Sequence, residues 1–193
     1  MRGRVKGVLF FMEVQKKLRY RIEITLAFIL WEIMQINRLS FYMKEALKEA
    51  HSAFLRNEIP VGAVLVDPQT EEIIARASNE MNQSQDPTRH AEMIVIQKGL
   101  SKIGTERFWD KVDLYVTLEP CPMCAQALSF MRLRRLYYGA YDPKSGGVEH
   151  GPRIFETTSC HHQPEVYGGI EETGCQHLLK SFFKNLRVNE VLS

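Results

Sequence analysis

Two short segments constrain this chain more than anything else in it: His90-Ala91-Glu92, and Pro120-Cys121-Pro122-Met123-Cys124. The Cys-x-x-Cys spacing at a helix start lets both sulfurs reach one ion, and Pro120 and Pro122 mark such a start. Free N–H groups and the helix dipole at that turn favour the thiolate form. Together with His90 the cysteines supply three ligands, the number a catalytic Zn2+ site uses while keeping a fourth position for water. Two thiolates neutralise the dication, and a water held there still has a much lowered pKa. Glu92 lies two residues from His90, too close along a helix to share its face fully. In the first turn of a helix it borders the same cavity, where a carboxylate can take a proton from water and pass it on. The expectation is one Zn2+ per subunit, held by His90, Cys121 and Cys124, with Glu92 as the catalytic acid–base.

A structural zinc knuckle, or a redox Cys-x-x-Cys beside an unrelated histidine, would share part of this pattern. Structural sites close with a fourth Cys or His, and Cys160, His161 and His162 are available for that. Glu92 weighs against it, because a structural site has no use for a carboxylate there.

The four cysteines do not read as a disulfide framework in 193 residues, so a reducing, cytoplasmic compartment is expected. The net charge of +2 conceals an asymmetry: residues 1–42 carry +5 and the remainder −3. A basic whole-chain balance is therefore no argument for nucleic-acid binding, and any such surface is a local patch. Within residues 1–42, the apolar run Ile24 to Trp31 is bounded by Glu23 and Glu32 and is far short of the ~20 residues of a membrane span. No small-residue cleavage site follows, which argues against a signal peptide. Three glutamates argue against a transit peptide. The reading is an N-terminal extension over 1–42, with Met43 or Met34 as the alternative start of translation, and one catalytic domain over 43–193 with no membrane role.

Met43 to Asn57 reads as an amphipathic helix, with Met43, Ala46, Leu47, Ala50, Ala53 and Phe54 inward. Ile59 to Val66 and Glu72 to Ala77 read as an antiparallel hairpin around Asp67-Pro68-Gln69-Thr70. Asn79 to Arg89 reads as a loop, and His90 to Lys102 as a buried helix capped by Asp86 or Thr88. Asp113 to Leu118 is a strand, Pro120 and Pro122 open a helix that runs through Met131, and Arg135 to Ala140 is a strand parallel to the preceding one. A loop over 142–164, a short strand from Val166 to Ile170 and a helix from Glu171 to Leu186 complete the chain. The fold class is α/β, a mixed sheet of about five strands flanked by helices.

His-x-Glu with Pro-Cys-x-x-Cys is the signature of zinc deaminases that act on nucleobases. From Met43 onward the chain closely resembles the bacterial tRNA-specific adenosine deaminases. Beyond the zinc signature, the resemblance is carried by Ile59-Pro60-Val61-Gly62-Ala63-Val64, Asp86-Pro87-Thr88, Thr117-Leu118-Glu119 and Ser181-Phe182-Phe183-Lys184. Gln126 stands where that family commonly has Gly, which bears on helix packing and not on the ligands. The resemblance implies the three-layer α/β/α cytidine deaminase-like fold and conversion of adenosine to inosine at the wobble position of a tRNA anticodon. It further implies an arginine tRNA as partner and a homodimer in which each site is completed by the second protomer.

On the substrate side the resemblance implies contact of Asn79 with the target nucleoside, and of Asp142 and Lys144 with the anticodon backbone. Asn79 is otherwise a plain turn residue, and Asp142 the start of an Asp-Pro turn. Adjacent helix positions point about 100° apart, so Phe182 is expected in the core and Phe183 at the RNA as a stacking platform. Lys184 and Arg187 would answer phosphates. Arg132, Arg134 and Arg135 are explained equally well as a solvated helix end. Cys160, His161 and His162 read as loop residues, and Cys175 as packing inside the last helix. The competing readings are a deaminase of a free base or nucleoside such as guanine, and a non-catalytic zinc-containing RNA-binding subunit.

Overall fold

The computed structural model describes residues 2–104 and 110–192, with side chains described over 19–104 and 110–188. The chain divides into two units, Met1–Leu39 and Ser40–Ser193. The first unit is helical, and several of its described apolar side chains, among them Phe28, Leu30 and Trp31, are more than half exposed. Among the described residues no helix is long and apolar enough to cross a membrane.

The helix expected to begin at Met43 is instead the end of a longer one, α1 (Arg2–Leu55). No proline occurs before Pro60 and no glycine between Gly7 and Gly62, so nothing in the residues upstream of Met43 breaks the helix. It stops at Asn57, which adopts a left-handed φ of 58° while the Glu58 amide returns to the Ala53 carbonyl at 3.0 Å.

In the second unit, five strands form one sheet in the order β2-β1-β3-β4-β5. β1 (Gly62–Asp67) pairs antiparallel with β2 (Glu72–Ser78) and with β3 (Asp113–Leu118). β3 and β4 (Arg135–Ala140) are parallel, as are β4 and β5 (Glu165–Tyr167). β1 starts three residues later than expected. Pro60 has no N–H for a ladder, and the Val61 amide folds back to the Ile59 carbonyl at 2.7 Å. β5 ends at Tyr167, before Val166–Ile170 as read from sequence would end, because Gly169 turns away at φ +80°.

α3 (Ala91–Ile103) and α4 (Pro122–Phe130) cover one face of the sheet. Ala91, Ile94 and Val95 from α3 and Ala125 and Leu128 from α4 join Ala63, Leu65, Leu114, Val116 and Leu136 in one buried core. The end of α1 and α5 (Glu172–Leu192) cover the other face at backbone contact distance. A Cβ on Gly62 would stand 2.2 Å from the Ala46 carbonyl oxygen, and one on Gly139 would stand 2.3 Å from the Cys175 sulfur. The result is the expected three-layer α/β/α arrangement with a mixed five-stranded sheet. The loop expected over Asn79 to Arg89 holds a short helix, α2 (Met81–Ser84), and the long loop after β4 holds a 3-10 turn at Ile154–Glu156.

Candidate active site

Both signature segments lie where a strand or loop ends and a helix begins. His90 is the N-cap of α3 and Cys121 the N-cap of α4, each in extended backbone, so their side chains project from the helix ends. Cys124 follows in the first turn of α4 and is fully buried. His90 Nδ1 stands 3.6 Å from Cys121 Sγ and 3.5 Å from Cys124 Sγ. An ion bound tetrahedrally at about 2.0–2.1 Å from nitrogen and 2.3 Å from sulfur needs a donor separation of this size. All three donor atoms lie within 4.8 Å of one another, and no other group of this kind occurs among the described residues.

The electrostatics of the cluster suit a dication. The hydrogen bond from Cys124 holds the Cys121 thiol at about 4, against its burial. Cys124 is driven far upward by that bond and by burial, since a second anion would form beside the first. A divalent cation removes that conflict by neutralising both sulfurs. His90 is raised by its bond to Cys121, against its burial.

Glu92 lies in the first turn of α3 and is 3% exposed. Burial pushes its carboxyl above the usual carboxylate range, against the pull of its backbone hydrogen bond and of His90. A carboxyl raised in this way holds a proton more readily than an exposed glutamate does.

The cluster opens into a cleft of about 450 Å³ whose lining includes His90, Glu92, Cys121, Asn79, Asp142, Lys144 and Phe183. Of the predicted site residues, Cys124 is buried and does not reach this lining, and Lys184 is exposed on α5 one position beyond Phe183. Phe182 is 4% exposed and meets Phe54 edge to face at 5.6 Å, whereas Phe183 is 42% exposed at the cleft.

Asn79 has a definite structural task. Its Oδ1 accepts the Ala91 N–H at 2.8 Å, so it serves the open end of α3 that Asp86 and Thr88 were expected to cap. Asp86 is occupied elsewhere, accepting from the Thr88 amide and hydroxyl at 2.8 and 2.7 Å. Asp142 likewise closes its own turn, its Oδ1 taking the amides of Lys144 and Ser145 at 3.1 and 3.0 Å.

Sequence reasoning missed the apolar wall of the cleft, Ile59, Val61, Met81 and Leu179. Ile59 and Val61 read as strand, and only the Pro60 break releases them to the cleft. It also passed over Glu119 as motif background. That residue lines the cleft, and its buried carboxylate gathers hydrogen bonds from the loop after β4. An acid at the end of an apolar strand, directly before Pro120-Cys121, was the available signal.

Cys160, His161 and His162 do not join the cluster. Cys160 Sγ and His162 N both meet Ser129 Oγ, and His162 Nε2 meets the Leu133 carbonyl at 2.7 Å. The fourth ligand of a structural zinc site is therefore missing among the described residues. Arg132, Arg134 and Arg135 are paired with Asp110, Asp113 and Glu165. Gln126 is half-buried on α4 and Cys175 is buried on α5.

Residues 36–140 match the family described as the cytidine and deoxycytidylate deaminase zinc-binding region. The tRNA-specific adenosine deaminase of Agrobacterium fabrum is 49% identical over 149 residues, which are 77% of this chain and 96% of that protein. The chain belongs to the tRNA-specific adenosine deaminases. The Bacillus subtilis member is 44% identical over 146 residues, 76% of this chain and 89% of that one. A solved structure from work on A-to-I editing by tRNA:A34 deaminases at the wobble position is 50% identical with a TM-score of 0.69, covering 72% of this chain and 99% of its own. A guanine deaminase from Nitrosomonas europaea shares the fold at 15% identity and a TM-score of 0.62, over 74% of this chain and 83% of that one. As in the rest of the family, the cofactor is Zn2+, and the His90, Cys121 and Cys124 donors fit it. This member is an enzyme of the deaminase class.

Proposed function

We propose that this enzyme hydrolyses adenosine at the wobble position of a tRNA anticodon, leaving inosine and releasing ammonia. The observation that carries the reading is 49% identity to a tRNA-specific adenosine deaminase over almost all of that protein, with an intact donor cluster and a buried carboxylate at the cleft. A free-base or nucleoside deaminase is not favoured, since the Nitrosomonas europaea guanine deaminase matches in fold alone. A non-catalytic subunit is not favoured either, since Glu92 is present and buried.

In this reading His90, Cys121 and Cys124 hold the ion. Zinc supplies Lewis acidity and lowers the pKa of water at the site. Glu92 collects a proton from the attacking water. It delivers protons to the ring nitrogen and to the departing amine, and its raised affinity for a proton suits it to both transfers. Asn79, Asp142, Lys144 and Phe183 bind the substrate from the cleft walls, with Phe183 offering a stacking face to an unpaired base and Lys184 answering phosphate outside it. An anticodon loop presents its bases unpaired, so no duplex has to be opened.

We further read residues 43–193 as the catalytic domain and 1–42 as an extension. Relatives of nearly full coverage account for only 75–77% of this chain, which supports that division. An arginine tRNA as substrate, a homodimer and a cytoplasmic site of action complete the reading.

The deciding experiment treats tRNA with zinc-replete enzyme and sequences it, inosine being read as G. An A-to-G change confined to the wobble position is the expected result. No change would sink the assignment.

A further inference from the structure

The loop that follows β4 carries Asp142, Lys144 and Ser145 into the cleft. Val148 packs it into the core at 5% exposure, and the backbone on either side of the loop is tied to the turn that bears Cys121. The Glu119 side chain is fully buried. Its Oε2 accepts the Asp142 amide at 3.0 Å and stands 2.7 Å from His150 Nδ1. Its Oε1 accepts the amides of Val148, Glu149 and His150 at 3.2, 2.9 and 2.9 Å. One carboxylate thus grips both ends of the loop, and it is the right group for this, being acceptor-only with room for several donors.

The loop is also shaped to lie against that turn. The Gly147 amide donates to the Pro120 carbonyl at 2.8 Å. A Cβ on Gly146 would stand 2.5 Å from the Glu119 carboxyl, and one on Gly147 would stand 2.6 Å from the Pro122 nitrogen. The glycine pair permits a contact that any side chain would forbid.

We infer that Glu119 is a positioning residue, clamping residues 142–150 onto the ligand-bearing turn so that Asp142, Lys144 and Ser145 stand at a fixed offset from the metal centre. It acts on RNA binding through the loop and touches no reacting atom. The role in RNA binding rests on the proposed function; the clamp itself does not.

The test uses the full-length, zinc-loaded chain with Glu119→Gln. An amide has one oxygen and two N–H donors, so it cannot serve both groups of loop amides. With an anticodon stem–loop RNA as substrate, KM is expected to rise about tenfold while kcat stays within about threefold, because alignment of the substrate is lost and the chemistry is not. Zinc content should not change, and faster hydrogen exchange should be confined to the amides of residues 142–150. An unchanged KM, or a fall in kcat accompanied by loss of zinc, would overturn the inference, the second by making Glu119 a support of the metal site. If Glu119→Gln does not fold, Gly146→Ala presses on the same carboxylate from the loop side and gives the same readouts. An unmutated enzyme inert on the RNA would refute the proposed substrate, while exchange at 142–150 would still decide the clamp.

Discussion

Glu92 and Glu119 are both buried acids within reach of one cleft, and their surroundings separate their tasks. At Glu92 burial outweighs the favourable partners and raises proton affinity. At Glu119 burial is outweighed by the amides of His150 and Asp142 and by the His150 ring, so the carboxyl is held below its ordinary range and remains an anion. A proton carrier must change state during turnover, and a clamp must not. Glu92→Ala is therefore expected to keep its zinc, measured by atomic absorption, and to lose turnover by about 10²–10⁴-fold, the usual weight of general acid–base catalysis. Turnover within a few-fold of the unmutated enzyme would show that the proton carrier is another group. Asn79→Ala leaves the buried Ala91 N–H without its acceptor and should lower stability by about 1–2 kcal/mol, read as a shift in Tm. An unchanged Tm would mean that Asn79 is not a cap.

Among the elements, the close seating of α1 on β1 explains why the sequence places Gly62 inside a strand. Substituting Ala there drives a methyl into the backbone at Ala46 and Ala50, where no rotamer change relieves it. Gly62→Ala should cost at least about 2–3 kcal/mol in denaturant unfolding, at the upper end for overpacking, and a loss below about 0.5 kcal/mol would contradict the packing described. Glu45 on α1 is nearly buried against Arg76 of β2, at 2.6 Å, and Lys48. The Lys48 hydrogen bond is the largest influence and, with Arg76, holds Glu45 below its ordinary 4.5 against the effect of burial. A depressed folded value contributes stability that is present above about pH 4.5 and is lost as pH falls through the folded value. Glu45→Gln should accordingly flatten the acid limb of a Tm-against-pH curve and leave its slope near pH 7 unchanged. An acid limb as steep as in the parent would remove Glu45 from that role. These elements were readable because the end of α1 carries its apolar residues at helical spacing, while β1, β3 and β4, covered on both faces, read as apolar runs between turn residues. Their ends were less legible: the start of β1 depends on Pro60, and the cap of α3 comes from Asn79, twelve residues away.

For the whole molecule, the division between Leu39 and Ser40 refines where an active truncation should begin. Tyr42 is 4% exposed, donates to the Glu71 carbonyl at 2.8 Å and packs on Tyr115 at 5.1 Å, and Ser40 bonds Glu171. A chain beginning at Ser40 should keep the activity and Tm of the second unit. One beginning at Met43 should stay active but melt earlier, by the loss of a buried tyrosine and its hydrogen bond, about 1–3 kcal/mol. Aggregation of the Ser40 form would show that the upstream residues belong to the fold.

The zinc chemistry was legible in four sequence positions because ligand type and spacing are local properties: His90 and Cys121 each begin a helix, and Glu92 and Cys124 follow within one turn. The α/β class was legible for the same reason, since each element's periodicity is written within its own span. What tertiary structure alone decided is which residues from distant segments share the cleft. Ile59, Asn79, Asp142 and the α5 pair Leu179 and Phe183 belong to four separate stretches, and no pattern along the chain records that these stretches face one another. Nor could the sequence show that Glu119 meets amides more than twenty residues away. Those contacts arise only when parallel pairing of β3 and β4 brings the loop after β4 beside the turn after β3.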